Sequence, residues 1–222
     1  MKSINIALLS VLLAFTASMP SAMAADSFSR FYIQGGIGEK SFNVEQSVAP
    51  PAGSGFSSDT MNMGDNSMFG QVAAGYNLAA TENLRLGFGV FYDVGSAKGG
   101  ITSGTIGGVT ATFLVKERSH YGISFEPGYA FTKDSVAYAK ITYNWMRVEQ
   151  SLGGATIATD AATLSTVGYG IGLKQMIGNK AYLYAEWQKV QYNVRPFDDG
   201  LGDTITYKPS ENFGLFGMGM TF

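Results

Sequence analysis

Residues 121–145 read YGISFEPGYAFTKDSVAYAKITYNW, two alternating runs around the polar turn Thr132-Lys133-Asp134-Ser135. One parity carries Tyr121, Ile123, Phe125, Pro127 and Tyr129, then Ala137, Ala139, Ile141, Tyr143 and Trp145. The other carries Gly122, Ser124, Glu126 and Gly128, then Tyr138, Lys140, Thr142 and Asn144. Successive strand side chains point to opposite faces, so the stretch predicts a hairpin with one apolar and one polar face. Centring the turn on Lys133 sets Tyr121 opposite Trp145, Ile123 opposite Tyr143 and Phe125 opposite Ile141. On the polar face it sets Glu126 opposite Lys140, close enough to pair.

The same period-two alternation recurs on both sides of the hairpin. Strands are expected at 30–42, 68–78, 84–94, 116–131, 136–148, 164–175, 181–192 and 212–222. The links at 79–83, 132–135 and 177–179 are short. Those at 43–66, 96–114, 149–162 and 193–209 are long and rich in Gly, Pro, Ser and Asp, which predicts loops; residues 110–115 extend a strand beyond the membrane. Eight strands of about 11 residues each match a tilted membrane crossing. An even strand count with long and short links in strict alternation is the pattern of an outer-membrane barrel. The fold class read from the sequence is therefore all-β, an eight-stranded antiparallel up-and-down transmembrane β-barrel with both ends in the periplasm. A soluble sandwich has no need to gather its long links on one side, and a propeller packs four strands into about 40–45 residues, where this chain places two.

The apolar face must meet lipid, because in water it would be a large aggregation patch, while a closed barrel satisfies its backbone internally. The polar face then fills a lumen just wide enough for its own side chains. Arg85, Glu126, Lys140 and Glu186, with Gln34 and Gln188 nearby, are expected to form an interior charge cluster, a polar plug or, alternatively, a gate. Centring the last tight turn on Ile177 sets Gly172 opposite Tyr182, Gly170 opposite Tyr184 and Gly168 opposite Glu186. Tyr121, Tyr143, Trp145 and Trp187 are the candidate aromatic girdle. Pro127 removes a ladder donor, and a bulge near the periplasmic turn is expected there.

Residues 1–24 have the layout of a secretory signal peptide: Met1-Lys2, the apolar run IALLSVLLAF at 6–15, and the small-x-small site Ala22-Met23-Ala24. The apolar run is too short to span a bilayer, so cleavage after Ala24 is expected to leave residues 25–222 as one barrel domain. The chain has no cysteine, and its formal net charge is −2. Disulfides, thiolate metal sites and a basic field for nucleic acid are thereby excluded. The single histidine, His120, has Ser124 on its own face, but four residues of strand separate them by roughly 13 Å. No catalytic set, cofactor site or metal site is expected from the sequence, and no enzymatic activity. Asp59, Asp65, Asp198, Asp199 and Asp203 fall in long links and read as solvated loop acids. Gly35-Gly36-x-Gly38 and Gly168-x-Gly170-x-Gly172 open no helix and so lack the phosphate-binding mechanism.

The segments YIQGGIG, AAGYNL, LRLGFGVFYDVG, EPGYAFTKDSVAYAKITYNW, YLYAEWQ and the C-terminal FGLFGMGMTF together resemble the small porin-family or opacity-like outer-membrane barrels of Gram-negative bacteria, relatives of the OmpA and OmpX barrels. The resemblance implies a monomer in the outer membrane. Phe222 would be the signal read by the barrel-assembly machinery, and no peptidoglycan-binding domain follows. It implies a structural and surface-interaction role, in adhesion or envelope integrity, with outer-membrane lipid, lipopolysaccharide and host surface molecules as partners. The alternative is a narrow, slow porin passing small solutes or ions through a charge-gated interior.

Overall fold

The structure, a computed structural model, describes residues 28–49, 59–95, 97–106, 109–153, 160–198 and 204–222. The strands are β1 (Phe31–Ala49), β2 (Asp59–Ala79), β3 (Leu84–Val94), β4 (Lys98–Ile106), β5 (Val109–Thr132), β6 (Ser135–Gly153), β7 (Asp160–Met176), β8 (Ala181–Gln191), β9 (Arg195–Asp198) and β10 (Thr204–Thr221). Every pairing is antiparallel, in the order β1-β2-β3-β5-β6-β7-β8-β10, and β1 pairs with β10 to close the ring. β4 follows β3 across Gly95, whose φ of 121° lies in the region that favours glycine, and pairs with β5. β9 follows β8 and pairs with β10. Ten strand segments thus make eight staves, and the protein is an eight-stranded all-antiparallel closed β-barrel.

The central hairpin has the register expected from its turn: Tyr121 opposes Trp145, Ile123 opposes Tyr143 and Phe125 opposes Ile141. Its apolar face is the outer one. Ile123, Tyr129, Ile141 and Tyr143 are exposed, as are Ile33, Phe88, Val167, Ile171, Phe216 and Met218 on other staves. Lipid is the solvent that such a band requires. The short turns and the C-terminus share one end, where Thr221 N–H donates to Lys180 O at 2.7 Å and Phe222 N–H to Phe31 O at 2.9 Å.

Three expectations are corrected. The stretches 43–49 and 59–66 are strand, not loop, and so are 98–106, 150–153, 160–162, 195–198 and 204–209. In the upper part of β1 the pattern changes: Lys40, Phe42, Val44 and Gln46 point inward and are buried, while Glu39, Asn43 and Glu45 face water, so the apolar outward face ends while backbone pairing continues. β1, β2, β5, β6, β7 and β10 accordingly run 17 to 24 residues, where about 9–11 suffice to cross a bilayer. Residues 39–47, 59–67, 109–119 and 204–214 continue these strands past the exposed Ile37, Met68, Tyr121 and Phe216 and build a collar.

The last short turn occupies 177–180, with Ile177 N–H donating to Ala181 O at 2.9 Å. Gly172 therefore opposes Glu186, Gly170 opposes Gln188 and Gly168 opposes Val190, four residues along from the expected partners. The glycines still make room for large side chains that lie directly opposite: Gly172 faces Tyr138 on β6 and Gly219 faces Tyr182 on β8, and a Cβ on either would strike that ring.

Pro127 sits in unbroken register. It opposes Leu86 on β3, and the ladder to β6 lapses at Glu126 and Pro127, then resumes with Gly128 opposite Tyr138. The register shifts of β5 lie instead between Glu117 and Ser119 and between Ala130 and Thr132.

Candidate functional site

The lumen is the candidate site, because that is where the charged side chains converge. Two clusters are stacked in it. The lower one draws on four staves. Lys174 Nζ lies 2.6 Å from Glu126 Oε2, and Lys140 Nζ lies 2.9 Å from both oxygens of Glu186 and 3.6 Å from Glu126 Oε1. Tyr138 donates its hydroxyl to Glu186 Oε2 at 2.8 Å, and Gln188 donates to Glu186 Oε1. Two ammoniums and two carboxylates balance, which a buried set requires. Aromatic rings complete the packing: Lys174 Nζ stands 4.6 Å from the Tyr138 ring centroid and 5.0 Å from that of Tyr32, and Lys140 Nζ 5.6 Å from that of Phe91. Tyr182 donates to Gln34 Oε1 at 2.8 Å just beside them.

The structure thus joins Glu126, Lys140 and Glu186 and adds Lys174, buried on the inward parity of β7 two residues from Gly172. Arg85 sits at the edge of this group. Its guanidinium donates to the carbonyls of Thr81, Glu82 and Leu84 at 2.9, 3.0 and 3.2 Å, which ties down the turn between β2 and β3. Beneath the cluster, Phe28, Arg85, Glu126, Tyr138 and Lys174 border a cavity of about 10 Å³, roughly the room for one water.

The upper cluster was not foreseen. Lys40 Nζ lies 2.8 Å from Asp93 Oδ2, 3.1 Å from Glu117 Oε1 and 3.5 Å from Glu211 Oε1. His120 Nδ1 lies 2.7 Å from Asp93 Oδ2 and 3.3 Å from Lys40 Nζ, and its Nε2 lies 3.2 Å from Asn144 Oδ1. Gln71 donates to Asp93 Oδ1 at 2.8 Å. All five ionisable groups are buried. Lys40 and Asp93 hold inward positions that the alternation reveals. Glu117 has the outward parity of its strand, and the shift between Glu117 and Ser119 is what turns it inward.

The girdle candidates lie on the outer face. Tyr121 and Trp145 stack with centroids 5.7 Å apart, and Tyr143 meets Trp145 edge-on at 4.8 Å. Trp187 forms a separate pair with Tyr169 at 6.5 Å. Phe222 closes the ring through its backbone bond to Phe31. Of the acidic loop candidates, Asp65 is exposed, Asp59 and Asp198 lie at strand ends, and Asp199 and Asp203 fall outside the described residues.

A family model described as "Outer membrane protein beta-barrel domain" matches residues 8–215. The chain belongs to that family. Its place is the outer membrane. Among solved structures it is similar to the outer-membrane protease OmpT of Escherichia coli, at 10% identity and a TM-score of 0.55, over 91% of this chain and 100% of that one. It is also similar to OprG of Pseudomonas aeruginosa, at 12% identity and a TM-score of 0.48, over 89% and 99%. A third is Ail of Yersinia pestis, solved with the heparin analogue sucrose octasulfate, at 11% identity and a TM-score of 0.44, over 84% and 99%. At these identities the likenesses are of fold. No curated protein matches the sequence.

Proposed function

We propose that this barrel is a closed outer-membrane anchor that displays its extracellular collar and loops to surface partners. The observation that carries the reading is the filled lumen. Tyr32, Gln34, Lys140, Tyr182, Tyr184, Gln188 and Phe213 are each at most 2% exposed, and they occupy successive levels of the interior. Above them the collar presents Glu39, Asn43, Glu45, Asp65, Arg118 and Arg147 to water. A charged, mixed-sign rim suits polar partners such as lipopolysaccharide headgroups or host surface molecules.

The reading includes no enzymatic activity. His120 is buried, with Nδ1 against Asp93 and Lys40 and Nε2 against Asn144, so neither ring nitrogen is offered to a substrate. It also includes export: residues 1–24 act as the signal and are removed, Phe222 directs assembly by the barrel machinery, and the barrel works as a monomer. N-terminal sequencing of the membrane protein should begin at Ala25.

The test of display is a strain expressing a barrel whose four long links are trimmed to tight turns. Loss of adhesion and serum survival with normal membrane insertion is the expected result. Full retention of both would sink the reading. The narrow-porin alternative requires Lys140 to part from Glu186 and Glu126, and ion steps that appear or enlarge in Lys140→Ala would favour it.

A further inference from the structure

The upper cluster has more acid than its own cations neutralise. Asp93, Glu117 and Glu211 surround one ammonium, Lys40, and one imidazole, His120. With His120 donating from both nitrogens, to Asp93 and Asn144, three carboxylates face two cations, and one negative charge is left uncompensated, which a buried site does not hold without a counter-charge. We propose that Asp93, Glu117, His120 and Glu211 bind one divalent first-row transition cation, such as Zn²⁺ or Mn²⁺, at the outer end of the lumen, displacing the Lys40 ammonium.

Three further observations converge on this site. One ligand atom each from Asp93, Glu117 and His120 lies within 4.8 Å of the other two. Ligands that share an ion, each about 2.1 Å from it, reach their places from this spread by a small inward movement. Glu211 is fully buried, and among the described residues neither of its carboxylate oxygens accepts a hydrogen bond. Its nearest cationic atoms are Lys40 Nζ at 3.5 Å and His120 Nδ1 at 3.8 Å, so it points into the cluster without a hydrogen-bond donor.

The third observation is the setting of the histidine. Asn144 donates its amide to Thr142 Oγ1 at 2.9 Å and to Thr166 O at 3.3 Å. That fixes its Oδ1 as the acceptor toward His120 Nε2, 3.2 Å away. With Nε2–H bonded to a carbonyl, Nδ1–H donates to Asp93 Oδ2 at 2.7 Å; cation binding would release that proton and turn the Nδ1 lone pair to the ion, with Asn144 as the outer support that a ligating histidine characteristically has. Imidazole together with carboxylates favours transition cations over calcium or magnesium. Lys40 occupies the centre as a resident counter-ion: it reaches Asp93 and Glu117 well but Glu211 poorly. The lumen below is packed, so the ion enters from the extracellular end.

The test uses the full chain folded in detergent micelles, titrated calorimetrically with Zn²⁺ and separately with Mn²⁺. Binding of one ion per barrel is expected. Lys40→Met should tighten it, because the competing ammonium is gone. The near-isosteric Glu211→Gln and the supporting Asn144→Ala should each weaken it, by about tenfold or more. Heat-modified mobility on gels first establishes that each variant is folded. Absence of binding to both wild type and Lys40→Met at about 1 mM ion, an affinity of only about −4 kcal/mol, overturns the proposal. So does a Glu211→Gln barrel that binds as tightly as wild type, which would place the ion on exposed loop acids. Should Lys40→Met fail to fold, the comparison of wild type with Glu211→Gln decides alone.

Discussion

Replacing Glu126 by Leu should be among the most damaging single changes in the barrel. It strips Lys174 of its partner at 2.6 Å and Lys140 of one at 3.6 Å, and leaves two buried ammoniums facing Glu186. Removing one partner of a buried ion pair costs about 3–5 kcal/mol, because the survivor keeps its desolvation penalty without its compensation. Lys174→Met alone should cost less, since Glu126 keeps Lys140, and the Met thioether packs well against the Tyr32 and Tyr138 rings that flank the ammonium. The double variant Glu126→Leu/Lys174→Met removes one charge of each sign and leaves the Lys140–Glu186 pair at 2.9 Å intact. It should therefore be nearly as stable as wild type, with a coupling between the two sites of about 2 kcal/mol or more. Urea titration of the protein folded into lipid vesicles, followed through the fluorescence of its two tryptophans, measures all four corners of the cycle. A double variant that loses the sum of the two single losses would refute the claim that charge balance governs the lower lumen.

Two further substitutions test the packing. Gly172→Val should destabilise the barrel by about 1–3 kcal/mol through overpacking, because its Cβ runs into the Tyr138 ring. Gly214→Ala, whose Cβ meets nothing within 4 Å, should be tolerated; equal losses in the same urea assay would refute the size-complementary lumen. Trp145→Ala removes ring contacts to both Tyr121 and Tyr143. Aromatic pairs are each worth about 0.5–1.5 kcal/mol beyond their burial, so unfolding in vesicles should ease by about that amount per lost pair, whereas an unchanged midpoint would remove the girdle from the stability account.

The staves inside the membrane are legible in the sequence because lipid and lumen impose opposite chemistries on successive residues, as in 121–131 and 135–145. The collar is not, because in 39–47 the outer face turns polar, with Glu39, Asn43 and Glu45 exposed, while Phe42 and Val44 are buried on the inner face, which ends the apolar outward pattern without breaking the ladder. The Glu126, Lys140 and Glu186 group follows from parity and turn position. Lys174 has the right parity, but its contact with Glu126 depends on the register of β6 against β7, Lys174 opposite Val136, and the long link between those strands carries no turn from which to read it. The upper cluster was hidden for a different reason. Lys40, Asp93 and Glu211 come from three staves whose convergence depends on the stagger of the whole ring, and Glu117 enters only through a one-residue shift that no alternation rule anticipates.

The central claim is that the lumen is closed, and single-channel recording tests it most directly. Wild-type protein folded from the complete chain and inserted into planar bilayers should pass no discrete current steps at moderate voltage, and Lys140→Ala should be as silent, because Tyr32, Tyr182, Tyr184 and Phe213 still fill the interior. Reproducible unitary conductance from the wild-type barrel, altered by Lys140→Ala, would contradict the account and make the lower cluster a gate.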